Sequence, residues 1–236
     1  MRTWVNVARY HLVRLAIYLG MPWAIMAFSF AVNLAIFRLV PGHNALPRSN
    51  TAYHVTGALS IIYIFFFVMG VFGMGQSLPF GLALGMSRRS YYAGTALLAV
   101  ALAVADGLVL TVLQAIERAT GGWGESMHFF WLPYLLDGPW YITWLTSFVG
   151  LVLLFAYGMW FAIVYRRWRL IGTLTFIAAQ ITVLLAVAAA ITLAHAWTGF
   201  ERFFPALTAA GVTGLLAALA ALLLTGGYAT IRRITV

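Results

Sequence analysis

Six long apolar runs, separated by short polar or charged breaks, constrain this chain more than any other feature. Each is near the ~20 residues that a helix needs to cross the hydrocarbon of a bilayer. They extend over 17–37, 55–75, 91–116, 141–164, 171–194 and 206–228. Composition points the same way. The chain is 64% hydrophobic and 8% charged, whereas soluble domains carry about 25% charged residues. A soluble fold of this size has too little interior to hide so much apolar surface from water. The expected fold is an all-α polytopic membrane protein of six transmembrane helices, forming a single transmembrane domain over 1–236.

All 14 basic residues are arginine, and they set an orientation. With the N-terminus inside, Arg2, Arg9, Arg14, Arg88, Arg89, Arg166, Arg167, Arg169, Arg232 and Arg233 lie on the cytoplasmic side. Arg38, Arg48, Arg118 and Arg202 lie outside. Positive residues concentrate in cytoplasmic loops, so both termini are expected there. The acidic residues Glu117, Glu125, Asp137 and Glu201 then fall outside or at the outer edge. The net charge of +9 reads as headgroup attraction rather than nucleic-acid binding. No cysteine is present, which excludes disulfides, thiol catalysis and thiolate metal sites. The apolar run after the basic N-terminus continues into a full span, so no cleavable signal peptide is expected.

Residues 1–16 place Trp4, Val7, Ala8, His11, Leu12 and Leu15 at helical spacing, interrupted by Arg2, Arg9 and Arg14. This pattern suits an interfacial helix with its arginines turned toward headgroups. The competing reading is one long tilted helix continuous with the first span. The loop 38–54 reads as irregular chain around its prolines. The loop 118–140 is rich in aromatics, with Phe129, Phe130, Trp131, Tyr134, Leu135 and Leu136. It is expected to be half buried, since that much apolar surface does not project freely into water. An aromatic belt at the membrane surface is the plainer alternative. The two halves of the chain do not repeat one another, which argues against a carrier built from inverted repeats.

No catalytic constellation is visible: no His-Glu-x-x-His, no Gly-x-Ser-x-Gly, no paired carboxylates on one helix face. His11, His43, His54, His128 and His195 are scattered without ligand spacing. A phosphate-binding loop needs lysine, and there is none. The chain is therefore expected to be no enzyme and to hold no cofactor, so any ATP-driven work needs a separate ATPase chain. Three polar residues lie within spans: Asn33, Asp106 and Gln180. Asp106 is the sharpest, since a carboxylate inside a bilayer must face a partner or a wet cavity. It reads as a packing contact first and as a proton, cation or substrate site second. Asn33 and Gln180 read as hydrogen bonds between helices. The last two spans are rich in Ala and Gly, which suits close packing within the chain or against a second membrane subunit.

The break between the second and third spans, QSLPFGLALGMSRRSYYAGT over 76–95, carries the most information. Pro79, Gly81 and Gly85 disfavour one unbroken helix. Phe80, Leu84 and Met86 give the loop apolar bulk that a polar turn would lack. Ser87 or Ser90 can cap the next helix. Arg88 and Arg89 then fall at its first turn, where the helix dipole disfavours positive charge by a few tenths of a kcal/mol. An outside reason is required, and headgroup attraction of about 1 kcal/mol per arginine is one.

From Leu78 to Thr95 this junction resembles the membrane subunits of ABC-2-type transporters, as do the amphipathic start, the six spans and the cytoplasmic termini. The resemblance implies an elbow helix at 1–16 and a coupling loop at 76–90 that touches a separate ATPase. It makes Phe80, Leu82 and Leu84 candidate apolar contacts, with Arg88 and Arg89 as anchors. It further implies a second membrane subunit, identical or homologous, with ATP and Mg held by the partner ATPases. The location it implies is a bacterial plasma membrane. Many such subunits carry a re-entrant hairpin between spans five and six. Here His195 to Pro205 leaves little room for one, and the loop 118–140 is the largest outer element. Two other functions fit the same composition: a membrane anchor or sensor that transports nothing, and an ion-coupled carrier using Asp106.

Overall fold

The computed structural model describes residues 20–39, 54–55, 59–132, 136, 138–195, 197 and 208–231. The expected interfacial helix at 1–16, most of the loop 38–54 and the C-terminal Arg232 and Arg233 lie outside these residues. Helix α1 is Met21–Leu39, α2 is Ser60–Gly75 and α3 is the short Ser77–Ala83. Helix α4 is Arg88–Ala119, α5 is Trp140–Leu193 and α6 is Ala209–Ile231. Two short strands, β1 (His54–Val55) and β2 (Met127–His128), pair in parallel at one end.

Helix α5 is 54 residues long but does not run straight. At Arg169 the backbone leaves the helical region, with φ 55° and ψ −149°. The chain reverses there. Tyr157 donates to Gln180 at 2.6 Å, and Phe176 stacks on Trp160 and meets Phe161 edge-on. Such pairs, about 20 residues apart in sequence, would lie roughly 30 Å apart on a straight helix. Residues 140–168 and 170–193 are thus two antiparallel limbs of one hairpin. The sequence placed a loop over 165–170; the turn takes a single residue, and the helical runs extend closer together than expected.

Neighbouring contacts give every helix a direction. Positions 63, 67 and 70 of α2 meet 150, 158 and 155–159 of α5 respectively, so α2 and the first limb run the same way. Thr146 bonds Thr213 and Trp160 donates to the Leu223 carbonyl, so α6 runs with them. Helix α4 opposes both neighbours: Thr95 faces Gly73 and Tyr91 faces Gly81 on α2 and α3, and Phe148 faces Gly107 from α5. Helix α1 runs with α4. Its Trp23 bonds Asp106, and its Phe30 meets Phe129 and Phe130 beyond the end of α4. Directions therefore alternate along the chain, limb by limb.

The core lies between α2, α4 and the first limb of α5, where Ile62, Phe66, Met74, Tyr91, Leu110, Leu151, Phe155 and Met159 are fully buried. Two glycines set its spacing. A Cβ on Gly70 would strike the Phe155 carbonyl, and one on Gly158 would strike the Phe67 carbonyl. Only glycine admits backbones this close, and close van der Waals contact is what holds helices together in lipid. The outer surface is apolar instead of charged. Ile171, Leu184 and Leu193 on the second limb are 79%, 70% and 82% exposed. A long helix with oily residues facing out is at home in hydrocarbon.

Five helical segments among the described residues are long and apolar enough to cross a membrane, counting α2 and α3 together and α5 as one. The protein is a multi-pass, all-α membrane protein. Replacing Gly158 with Val is expected to destabilise the bundle by about 2 kcal/mol or more through overpacking. Gly75→Ala is the control, because a Cβ there meets only Ala162 at 3.9 Å. Thermal melting of the two purified variants in detergent checks this.

Candidate functional site

Helix α4 carries charge at both ends and a carboxylate at its middle, and the candidate site follows from these three places. At its start, the chain leaves α2 at Gln76 and forms α3, with Pro79 tolerated in the first turn where its missing N–H is not needed. Leu78 is buried. Gly81 rests on the Tyr91 ring, too close for any side chain, and the Tyr91 hydroxyl donates to the Gly73 carbonyl at 2.9 Å. Gly85, at φ 80°, turns the chain out of α3. Ser87 then caps α4 by accepting from the Ser90 N–H at 3.2 Å.

The five residues expected at the coupling loop come to one end of the molecule, though not in equal exposure. Phe80 and Leu84 are 50% and 58% exposed. Leu82 is packed against the core. Arg88 is half buried and Arg89 exposed. The Arg166, Arg167 and Arg169 turn of α5 shares this end. Arg89 and Arg167 line one cavity with Trp160, Trp168 and Thr230. Arg166 and Arg169 line another with Gly75 and Gln76.

The three intramembrane polar residues do not form a shared path among the described residues. Asp106 is buried and accepts a hydrogen bond from the Trp23 indole at 2.8 Å, tying α1 to α4. The Gln180 side-chain oxygen accepts from Tyr157 and closes the α5 hairpin. The Asn33 amide donates to the Ser29 carbonyl of its own helix at 2.8 Å.

Sequence reasoning missed the most heavily bonded residue, Glu117, by placing it at the outer edge. It is 1% exposed, in the last turn of α4. Negative charge is disfavoured at that helix end by its dipole. The aromatic loop supplies the compensation. The backbone N–H groups of Phe129, Phe130 and Trp131 all donate to the carboxylate, at 2.8 to 3.2 Å. The Trp123 indole adds a fourth donor at 3.1 Å, and His128 Nδ1 approaches to 3.6 Å. The chain reaches this arrangement through Gly121, Gly122, Trp123 and Gly124, all at positive φ. The Gly-Gly-Trp-Gly run was the available signal, since consecutive glycines after a helix mark a sharp turn-back. The aromatics follow: Phe129 and Phe130 are buried and pack on Phe30. The loop is thus half buried in its described part, with Met127, Phe129, Phe130 and Leu136 inside and Trp123 and Trp131 at the edge; Tyr134 and Leu135 lie outside that part.

Chemically, the Glu117 nest is filled by the chain's own carboxylate, so it holds a loop in place. Among the described residues no three His, Asp or Glu side chains gather as a metal site would require. What the fold and these places define is a multi-pass helical membrane protein with an arginine-rich end and an aromatic-capped end. Comparison with protein-family models, with curated proteins and with solved structures gives no match.

Glu117→Gln retains the shape but loses the charge for three converging N–H donors. Hydrogen bonds to charged groups are worth roughly 1.5–3 kcal/mol each, so a loss of about 2 kcal/mol or more is expected. The check is chemical unfolding in detergent, together with faster proteolysis within 122–132. Asp106→Asn, which keeps an oxygen for the Trp23 indole, is expected to melt within a few degrees of the parent, and Asp106→Leu well below it.

Proposed function

We propose that the chain is the permease subunit of an ATP-driven exporter of the ABC-2 type, coupled to separate ATPase subunits and paired with a second membrane subunit, identical or homologous. It works in a bacterial plasma membrane, its arginine-rich end in the cytoplasm. The limbs of α5 count as two crossings, giving six in all, with both chain ends on the cytoplasmic side. ATP and Mg belong to the partner.

The observation that carries this reading is the seat of α3. The helix turns two large apolar side chains, Phe80 and Leu84, outward at the arginine-rich end. Its other face is locked to α2 and α4 through Leu78, Gly81 and Tyr91. A segment held this way passes a push at its tip directly into two core helices, whereas a floppy loop would absorb it. Arg88 and Arg89 follow at once, to anchor the junction at the membrane surface or to meet acidic groups on the ATPase. A small or amphipathic cargo leaves between the two membrane subunits. The Trp23–Asp106 bond favours a packing role for the carboxylate over that of an ion relay.

The test is purification of the chain from its native membrane with identification of what accompanies it; an ATP-binding cassette protein is expected. The double variant Phe80→Ala, Leu84→Ala should weaken retention of that ATPase about thirtyfold, the loss of one apolar hot spot of about 2 kcal/mol. Arg88→Ala with Arg89→Ala should lower transport-coupled ATP hydrolysis more than membrane insertion. ATPase binding without substrate-stimulated hydrolysis would instead identify an anchor or sensor. Ion-driven transport abolished by Asp106→Asn, with no ATPase present, would identify a carrier.

A further inference from the structure

We propose that the cleft between the start of α4, the end of the first α5 limb and the end of α6 binds the phosphate of an anionic phospholipid, with Arg89 and Arg167 as its ligands. The cleft measures about 750 Å³ and is lined by Arg89, Trp160, Val164, Arg167, Trp168 and Thr230, with Ala229 beside them. Its inner wall is apolar: Val164 is buried, and the Trp160 indole is anchored to the Leu223 carbonyl at 2.7 Å. Its mouth is cationic. The shape suits a molecule with an anionic head and an oily tail.

The charge balance among the described residues favours such an anion. Helix α4 carries an acid beside Arg118 in its last turn and two arginines in its first. At its C-terminal end Glu117 is compensated by loop N–H groups from three residues. At its N-terminal end Arg88 and Arg89 add to the positive pole of the dipole, and the arginines of the α5 turn crowd in. Among the described residues no carboxylate pairs with Arg88, Arg89, Arg166, Arg167 or Arg169; the one carboxylate pair in that set is Glu117 with His128, at the opposite end. Arg167 lies 4.7 Å over the Trp168 ring, which orients its guanidinium but leaves its charge unneutralised. Two arginines lining one cleft at a helix N-terminus suit a phosphate by charge and donor type. Basic pockets between transmembrane helices at a membrane surface take anionic headgroups for this reason.

The occupant is a lipid because the cleft combines arginines with Trp160, Val164 and Trp168, on helices whose outer faces are apolar. The oily, exposed faces of the second α5 limb and of α6, with Leu215 and Leu222 64% and 63% exposed, leave room for acyl chains. The inference needs only that the arginine-rich end lies at a membrane surface, and it stands apart from the exporter reading.

The experiment is native mass spectrometry of the full chain, extracted in mild detergent and offered phosphatidylglycerol or phosphatidylcholine. The parent should retain phosphatidylglycerol at least tenfold better. Arg89→Gln with Arg167→Gln should abolish that preference. Both side chains are exposed, so packing survives, and an unchanged melting temperature checks it. Arg88→Gln with Arg166→Gln, the same charge loss at the same end but outside the cleft, should keep most of the preference. Equal retention of phosphatidylcholine, or an unchanged preference in the Arg89/Arg167 variant, overturns the proposal. Displacement of the lipid by millimolar inorganic phosphate also overturns it, since the site then takes a free anion. ATPase retention by the same samples reports separately on the exporter reading: its loss with lipid preference intact assigns these arginines to the protein partner.

Discussion

The close approach of α2 to the first limb of α5 is the contact on which the rest depends. In hydrocarbon, apolar side chains gain little by turning from lipid to protein, so helices are held by van der Waals contact and by a few hydrogen bonds. Gly70 and Gly158 bring two backbones within reach of each other's carbonyls. Phe66 and Phe155 then meet edge-on at 6.4 Å, and Tyr91 of α4 donates to the Gly73 carbonyl of α2. Helix α3, the Tyr91 lock and the seating of α4 all follow from where α2 is held.

Helix α4 translates this core into two functional ends. The arginines at its N-terminus and the buried acid in its last turn each oppose the helix dipole by a few tenths of a kcal/mol. Partners of opposite character at either end offset that cost. The Glu117 end takes backbone N–H groups from an aromatic loop, whose Phe129 and Phe130 are buried against the bundle. At the arginine-rich end no carboxylate among the described residues pairs with Arg88, Arg89, Arg166, Arg167 or Arg169. One end is finished within the chain, and the other presents exposed positive charge.

Much of this was legible in the sequence, for identifiable reasons. Long apolar runs declare membrane helices because the bilayer has a fixed thickness. The break after α2 was readable from Pro79, Gly81 and Gly85, and a cap on α4 from Ser87 or Ser90, of which the structure uses Ser87. The burial of Glu117 was readable only in part: the Gly-Gly-Trp-Gly run marks a turn-back but not the group that the returning loop covers. A carboxylate near a helix end reads as surface, and only a loop folding back over it supplies donors. Asn33 looked like a partner for another helix, yet it bonds within its own, because which face of α1 meets a neighbour depends on packing. The tight reversal at Arg169 was likewise hidden, since four residues of basic and aromatic character fit a loop as well as a one-residue turn.

The sequence by itself determined the class of protein, the approximate spans and the concentration of arginine at one side, because these depend on hydropathy and charge that each residue carries alone. Only the tertiary structure decided that Asp106 is tied to Trp23 and that Glu117 is a clamp. It also decided that Arg89 shares a cleft with Arg167, across 78 positions of chain. Those outcomes rest on helix directions and rotations, which are set by the contacts at Gly70 and Gly158 and are not written in any local stretch.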